Sequence, residues 1–235
     1  TQCIAGGSEA IPDQHGEFFI APLTEALHLY QDQVDTGIFT RWHHRMQTPL
    51  TQIMANQSGR LNNWRTYAMK GEWLRARAGL VDINATRVYI ENSWIHQTQR
   101  DLMAIDRWHL YQDWSSDPQS HAVEAVGRGN ILALLHAGYD GPSAAEMWAY
   151  IRKASATSLL LQAPTGQCPP NGSTDNHVFN DVLYQLIFEV MSLDARQQGN
   201  LHLAGQYRQA AKLAIQSILR WRRDDPAWQG SFYIT

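Results

Sequence analysis

Apolar positions along the chain recur mainly every three or four residues, which is the period of an α-helix with one buried face. Strict alternation of apolar and polar residues, the pattern of a strand, is almost absent, and only the tail 231–235 reads as extended. The pattern therefore predicts an all-α protein with eight helices, over residues 17–35, 40–57, 62–79, 84–113, 118–137, 143–162, 176–198 and 201–223.

Glycine and proline mark the ends of several of these segments. Pro49 is expected to kink or divide segment 40–57, because proline lacks the amide hydrogen that a helix interior needs. Gly79, Gly138 and Gly199 each follow the last apolar turn of a segment, where glycine commonly ends a helix. Residues 163–175 are rich in Pro, Gly, Asn, Ser and Thr and form the only long predicted loop.

Helix starts follow one another at intervals of about 20–30 residues, without a tetratricopeptide or ankyrin motif. Short connections favour antiparallel neighbours, so the eight segments are expected to form four helix pairs. We expect a single domain over 1–235, built as an incomplete α/α toroid. An irregular α-solenoid or bundle is the alternative.

The composition excludes some classes of protein. The chain is 44% hydrophobic and 17% charged, as in soluble globular proteins. No apolar run approaches the roughly 20 residues of a membrane span. The isoelectric point near 6.3 argues against a dedicated nucleic-acid-binding domain.

Charge is unevenly distributed near the N-terminus. Residues 1–40 contain six acidic residues and no Lys or Arg, whereas 41–77 contain seven Lys or Arg and the single acid Glu72. The basic stretch also carries Trp42 and Trp64. Arginine pairs with carboxylates or phosphates, and tryptophan stacks on flat faces, so the stretch suits an acidic polysaccharide or a single-stranded nucleic acid. The alternative is a helix pair with solvated arginines and core tryptophans.

A second polar cluster begins where the long loop joins the next helix. It contains Asp175, Asn176, His177, Asn180 and Asp181 within seven residues. Asp175 suits a helix N-cap, which is its structural explanation. His177, Asn180 and Asp181 fall at i, i+3 and i+4 and so share one helix face. A polar stripe at the end of a loop predicts a functional site.

Motifs for metal or cofactor chemistry are absent from the sequence. It has no HExxH, no P-loop, no GxGxxG and no GxSxG. His43 and His44 are adjacent, so on a helix they point about 100° apart and do not chelate one ion. We expect no catalytic metal and no cofactor.

The two cysteines, Cys3 and Cys168, both lie in loop-like sequence, and no CxxC motif is present. A disulfide between them would suit an exported protein, and two free thiols are the alternative. The first residue is Thr1 rather than methionine, as after signal cleavage or in a truncated chain. We expect a secreted or periplasmic location.

Helix pairs in series, together with Asn62-Asn63-Trp64-Arg65, give the chain a resemblance to the α/α-toroid polysaccharide lyases of the heparinase II/III and alginate-lyase type. In those enzymes an asparagine, alone or with an arginine, neutralises a uronate carboxylate. A tyrosine or histidine then removes the C5 proton and protonates the leaving oxygen. The resemblance implies β-elimination on an acidic, uronate-containing polysaccharide.

The resemblance also implies roles for particular residues. Asn63 holds the carboxylate with help from Arg65, and the base or acid is His44, His177 or Tyr67. The remaining expected substrate-binding residues are Trp42, Arg45, Trp64, Asp175, Asn176 and Asn180. Such an elimination requires charge neutralisation at the carboxylate and a base within hydrogen-bond reach.

Two other functions stay open at this point. A toroid glycoside hydrolase needs a pair of carboxylates, for which Asp175 and Asp181 are the best candidates and Glu91 or Asp113 further ones. A non-enzymatic binding or assembly protein would use tryptophans as contact anchors. Because toroids of this type contain more than four helix pairs, the resemblance also implies further C-terminal sequence or a partner chain.

Overall fold

The computed structural model describes residues 16–54, 63–97, 109–110, 121–169 and 178–223. Helices make up 76% of these residues, and no strand occurs among them. The prediction of an all-α protein is therefore confirmed. The helices are α1 (Glu17–Tyr30), α2 (Thr36–Arg45), α3 (Leu50–Ile53), α4 (Asn63–Arg77), α5 (Ile83–Gln97), α6 (His121–His136), α7 (Ala144–Leu161), α8 (Val178–Gln197) and α9 (Leu201–Leu219).

Glycines end the helices at the predicted places. Gly79 has φ +71° after α4, Gly138 has φ +81° after α6, and Gly199 has φ +78° after α8. This left-handed conformation is easily reached only without a Cβ atom. After α4 the amide of Leu80 donates to the carbonyl oxygen of Arg75 at 2.9 Å, which satisfies one of the last-turn carbonyl groups.

The segment predicted over 40–57 is two helices. Pro49 separates α2 from α3, as its missing amide hydrogen predicts. Helix α2 begins earlier than predicted, because the Asp35 side chain caps it. This side chain accepts hydrogen bonds from the amides of Gly37 (2.9 Å) and Ile38 (3.2 Å).

Other boundaries differ from the predicted ones or lie outside the described residues. Helix α1 ends at Tyr30 rather than at residue 35. Helix α5 covers Ile83–Gln97, and most of the remainder of segment 84–113 lies outside the described residues, as does the extended tail 231–235. The described residues His109 and Leu110 are not helical, and His109 has φ +56°, so the prediction of a single long helix over 84–113 is wrong.

Contacts divide the chain into two compact units. Within its described part, the first comprises residues 16–54, 63–97 and 133–145, and the second comprises 109–110, 121–132, 146–169 and 178–223. The single toroid-like domain over 1–235 stays a prediction.

In the first unit α1 packs on α4, and α4 packs on α5. The close approach of α1 to α4 depends on Gly71, because a Cβ atom there would lie 2.9 Å from the Cβ atom of Ile20. Met69 and Trp73 of α4 and Ile90 of α5 are buried in this unit. The Trp73 indole also donates to the carbonyl oxygen of Ala137 at 3.0 Å.

In the second unit α8 and α9 form a helical hairpin. Its buried core includes Tyr184, Phe188, Met191, Tyr207 and Ala211. The connection is short because Gly199 turns the chain and the Asn200 side chain then caps α9, accepting from the amide of Leu203 at 3.1 Å. None of the described helices combines the length and the apolar character that a membrane crossing requires.

Candidate functional site

The first turns of α4 carry four residues that the sequence predicts to be functional: Asn63, Trp64, Arg65 and Tyr67. Asn63 and Tyr67 are separated by one helical turn and share a face. Both are half-buried, whereas Trp64 is 38% exposed. A polar amide, a phenol and an accessible indole therefore stand close together at this end of the helix.

Phe18 of helix α1 packs against these aromatic side chains. The Phe18 ring lies edge-on to Trp64, with centroids 6.2 Å apart, and is tilted against Tyr67 at 4.6 Å. Such aromatic packing fixes ring orientation as well as burying area. The Trp64 and Tyr67 rings are thus held in defined positions.

Lys70 completes this face of α4, and the sequence interpretation did not select it. Its Nζ atom lies 5.1 Å from the centroid of the Tyr67 ring, a cation–π contact. Burial lowers the pKa of Lys70, and the nearby Glu25 carboxylate partly opposes that shift. Helical spacing in the sequence could have selected Lys70, since positions 63, 67 and 70 follow the i, i+4, i+7 spacing of one helix face.

Arg65 is placed differently from the other three. Two residues along a helix correspond to a rotation of about 200°, so Arg65 lies on nearly the opposite side of α4 from Asn63. It shares its side with Glu72, seven residues further on. Its charge acts on Tyr89 of α5, whose pKa is raised to about 12 mainly by burial and is partly lowered again by Ser93 and Arg65. The cation that shares a face with Asn63 and Tyr67 is Lys70.

The predicted site residues of α2 are held near the other end of α4. The carbonyl oxygens of Met46 and Thr48, which follow α2, accept hydrogen bonds from Arg75. Arg75 is twelve residues after Asn63, which is about 18 Å along a helix axis.

The surroundings of the three α2 residues differ. Trp42 packs against the buried cluster of Leu27, Met46 and Leu80, while His44 and Arg45 are exposed. The structure does not bring these residues to Asn63, and it supports a packing role for Trp42.

Of the second predicted cluster, only Asn180 and Asp181 lie in the described part of the chain. Asn180 is half-buried in the first turn of α8. Asp181 is buried and accepts from the backbone amide of Cys168 at 2.9 Å and from the Ser217 hydroxyl at 2.7 Å. Its carboxylate therefore anchors the loop before α8 to α9. Asp175, Asn176 and His177 lie outside the described residues.

Cys168 is a buried, free cysteine in the structure. Burial raises the pKa of its thiol far above the ordinary value, and the Asp181 carboxylate adds to the shift. The disulfide to Cys3 is not observed, and Cys3 itself lies outside the described residues.

Glu91, one of the carboxylates considered for a hydrolase, is fully engaged as an acceptor. It receives hydrogen bonds from the Tyr139 hydroxyl and from both the amide and the hydroxyl of Ser143. These contacts order the turn that precedes α7. Of the other hydrolase candidates, Asp181 is engaged as described above, and Asp113 and Asp175 lie outside the described residues.

Glu124 and Arg128 of α6 form a buried ion pair in the second unit. Arg128 is fully buried and its Nη2 atom lies 2.9 Å from Glu124 Oε2. A second guanidinium nitrogen of Arg128 donates to Ser155 at 3.3 Å, and its charged group lies 5.5 Å from the Tyr184 ring centroid. Breaking such a pair leaves an uncompensated buried charge, so the pair belongs to the folded core.

Within the described ranges, no group of three or more His, Cys, Asp and Glu side chains is arranged to hold a metal ion. No family model, curated protein or solved structure matches this chain. Function is therefore inferred from the side chains themselves.

Proposed function

We propose that the protein acts on an acidic, uronate-containing polysaccharide by β-elimination, at the face of α4 that carries Asn63, Tyr67 and Lys70. The observation that carries this proposal is the position of the Lys70 ammonium group, 5.1 Å from the centroid of the Tyr67 ring, with Asn63 one turn away on the same face. An amide donor, a phenol and a cation on one face are the groups that such an elimination requires.

Each side chain has a definite part in the proposed reaction. Asn63 donates from its amide to the uronate carboxylate, and the Lys70 ammonium group offsets the negative charge that develops there. Tyr67, as phenolate, takes the proton from C5. The C5–H electron pair forms the C4–C5 double bond while the C4–O bond breaks. The Tyr67 phenol then returns the proton to the leaving oxygen, so that protons and electrons balance.

Trp64 supports the proposal as a stacking platform. It is 38% exposed beside these groups, and its orientation is fixed by the edge-on Phe18 ring. An indole face covers the apolar C–H face of a sugar ring, and Lys70 then provides charge recognition. Three predictions accompany this proposal: the protein is exported, Cys3 and Cys168 form a disulfide, and further sequence or a partner chain completes a toroid.

The test is to incubate the protein with pectate, alginate, hyaluronan and heparan sulfate and to follow the ultraviolet absorbance of unsaturated uronate ends. We expect absorbance to rise with at least one of them. N63A, Y67F and K70M should each reduce the rate by roughly 100-fold or more, the scale of a lost acid–base or charge-stabilising group.

Matched controls are N84A on the exposed side of α5 and Y30F at the end of α1, both of which should retain the rate. New reducing ends without absorbance would instead identify a hydrolase. Retained polysaccharide binding without either product would identify a binding protein. Either result, or full activity of all three variants, overturns the proposed reaction.

A further inference from the structure

A cleft of about 580 Å³ opens in the first unit beside α3, α4 and the first half of α5. This volume is within the range of roughly 300–1,000 Å³ that is usual for small-molecule pockets. Its lining includes Met54, Glu72, Ala85, Thr86 and Tyr89. None of the residues assigned above to the polysaccharide reaction lines it.

Two polar side chains of the cleft are almost completely buried and have hydrogen-bonding atoms without a partner. Thr86 is 3% exposed, and its hydroxyl makes no hydrogen bond to another described residue. Glu72 is 6% exposed; Arg75 binds its Oε1 atom, while Oε2 accepts no hydrogen bond from the described residues. Neither atom is fully enclosed by protein, so both are open to the cleft and can accept hydrogen bonds from a ligand there.

The charge of the cleft determines which ligand it accepts. Asp82 at the rim uses Oδ1 to cap the amide of Ala85 at 2.7 Å, and its second oxygen has no partner among the described residues. Among the described residues, the lining thus holds two carboxylates, Glu72 and Asp82, and no Lys or Arg. The guanidinium group of Arg75 neutralises Glu72 from the buried side, which leaves the cleft negative overall. An anion is disfavoured there and a cation is favoured.

The remaining wall is apolar and aromatic. Met54, Ala85 and the Tyr89 ring provide a surface for the carbon skeleton of a ligand, while the acceptors lie on Glu72, Thr86 and Asp82. Hydroxyl groups suit carboxylate and threonine oxygens, and a ring C–H face suits the tyrosine.

We propose that this cleft binds a small hydroxylated cation, of the class represented by an amino sugar with a free ammonium group. This preference is opposite in charge to that of the α4 face, and the inference does not depend on the proposed reaction. The ligand's hydroxyl groups donate to Glu72 and Thr86, and its ammonium group lies near Asp82.

Three probes with one ring skeleton test the charge preference: the methyl glycosides of glucosamine, glucose and glucuronic acid. Binding to the intact chain is measured by NMR titration or calorimetry. We expect the affinity to fall in that order, with glucuronoside undetectable, and the glucosaminide affinity to fall as salt is raised. A glucosaminide dissociation constant above roughly 10 mM, equal affinity for the three probes, or preference for the anion would overturn the proposal.

Two variants locate the binding. A85L places a larger side chain in the cleft at an exposed helix position and should abolish binding, whereas A149L, the same change at an exposed position of α7, should leave it unchanged. T86V removes one hydroxyl and keeps the shape, so it should weaken binding roughly two- to tenfold without lowering stability.

K70M separates this proposal from the polysaccharide reaction, since it should remove that reaction and leave glucosaminide binding intact. Unchanged binding in A85L contradicts the cleft as the site, whatever the outcome for the reaction.

Discussion

The Nε atom of Arg75 donates to the carbonyl oxygen of Met46 at 2.9 Å, which ties the end of α2 to the last turns of α4. The same guanidinium group donates to the carbonyl oxygen of Thr48 and pairs with Glu72, and Arg75 is fully buried. One side chain thus sets the position of the basic and aromatic segment 41–45. That segment is held away from Asn63, at the far end of the same helix.

The variant R75M is expected to lower the free energy of unfolding by about 3–5 kcal/mol, because it leaves Glu72 as a buried charge without its partner and two carbonyl groups without a donor. Urea denaturation measures the loss. R41M, at an exposed position of α2, is the control and should change stability by less than about 0.5 kcal/mol. A loss in R75M no larger than in R41M would mean that Arg75 does not hold this junction.

The helices could be predicted well because their signals are local. Apolar spacing fixes where a helix lies, and Gly79, Gly138 and Gly199 each end one by adopting a left-handed conformation. The apolar pattern places the start of α2 four residues too late, because the helix begins at the Asp35 cap rather than at its first apolar turn. Neither the α/α toroid nor any other closure of the helix pairs can be obtained from such local signals.

The candidate site could be predicted only in part, because a helix face is local but its surroundings are not. The sequence selected Asn63 and Tyr67, and helical spacing could also have selected Lys70. Sequence spacing could not show that Trp42 packs on a core cluster or that Asp181 bonds to Cys168 and Ser217, since those contacts join distant segments. A sequence pattern therefore assigns functional roles to several polar residues that have structural roles in the fold.

Glu91 is expected to be a structural residue. E91Q cannot accept all the hydrogen bonds that Tyr139 and Ser143 donate, so it should lower the free energy of unfolding by about 1–3 kcal/mol. Thermal or urea unfolding checks this loss. E146Q, at an exposed position in the first turn of α7, serves as the control and should be neutral. If E91Q kept full stability and lost activity, Glu91 would be a catalytic carboxylate instead.

Glu72 is expected to make stability depend on pH. Burial raises the pKa of its carboxyl group above the ordinary value of 4.5, although Arg75 partly opposes the shift. The folded state therefore binds this proton more tightly than the unfolded state, and stability should rise as the pH falls through the folded pKa toward 4.5. The measurement is urea unfolding of wild type and E72Q over this pH range. The difference between them should move in favour of the wild type on acidification; a change in the opposite direction contradicts the raised pKa.

Cys168 is expected to be unreactive in the folded protein. Its thiol is buried, and burial raises its pKa, so little thiolate forms at neutral pH. A maleimide reagent should not label it in the native state. Thiol titration of the denatured, unreduced protein then tests the disulfide with Cys3: no free thiol supports the bond, and two free thiols exclude it. Rapid labelling of Cys168 in the native state would contradict the burial.

Lys70 should show a trade-off between stability and activity. Burial lowers its pKa from 10.5, so the folded state pays to keep the ammonium group charged at neutral pH, and this cost should disappear as the pH rises from the folded pKa to 10.5. K70M removes the charge while keeping an apolar side chain of similar length. Its melting temperature should therefore equal or exceed that of the wild type at neutral pH, although the proposed activity is lost.

Differential scanning calorimetry and the absorbance assay measure the two sides of this trade-off. K153M, at an exposed position of α7, is the matched control and should change neither stability nor activity. A residue that costs stability in the fold and is required for activity is placed for chemistry rather than for packing. If K70M instead melts well below the wild type, the contact of Lys70 with Tyr67 stabilises the fold. Lys70 is then a structural residue and not the cation of the proposed site.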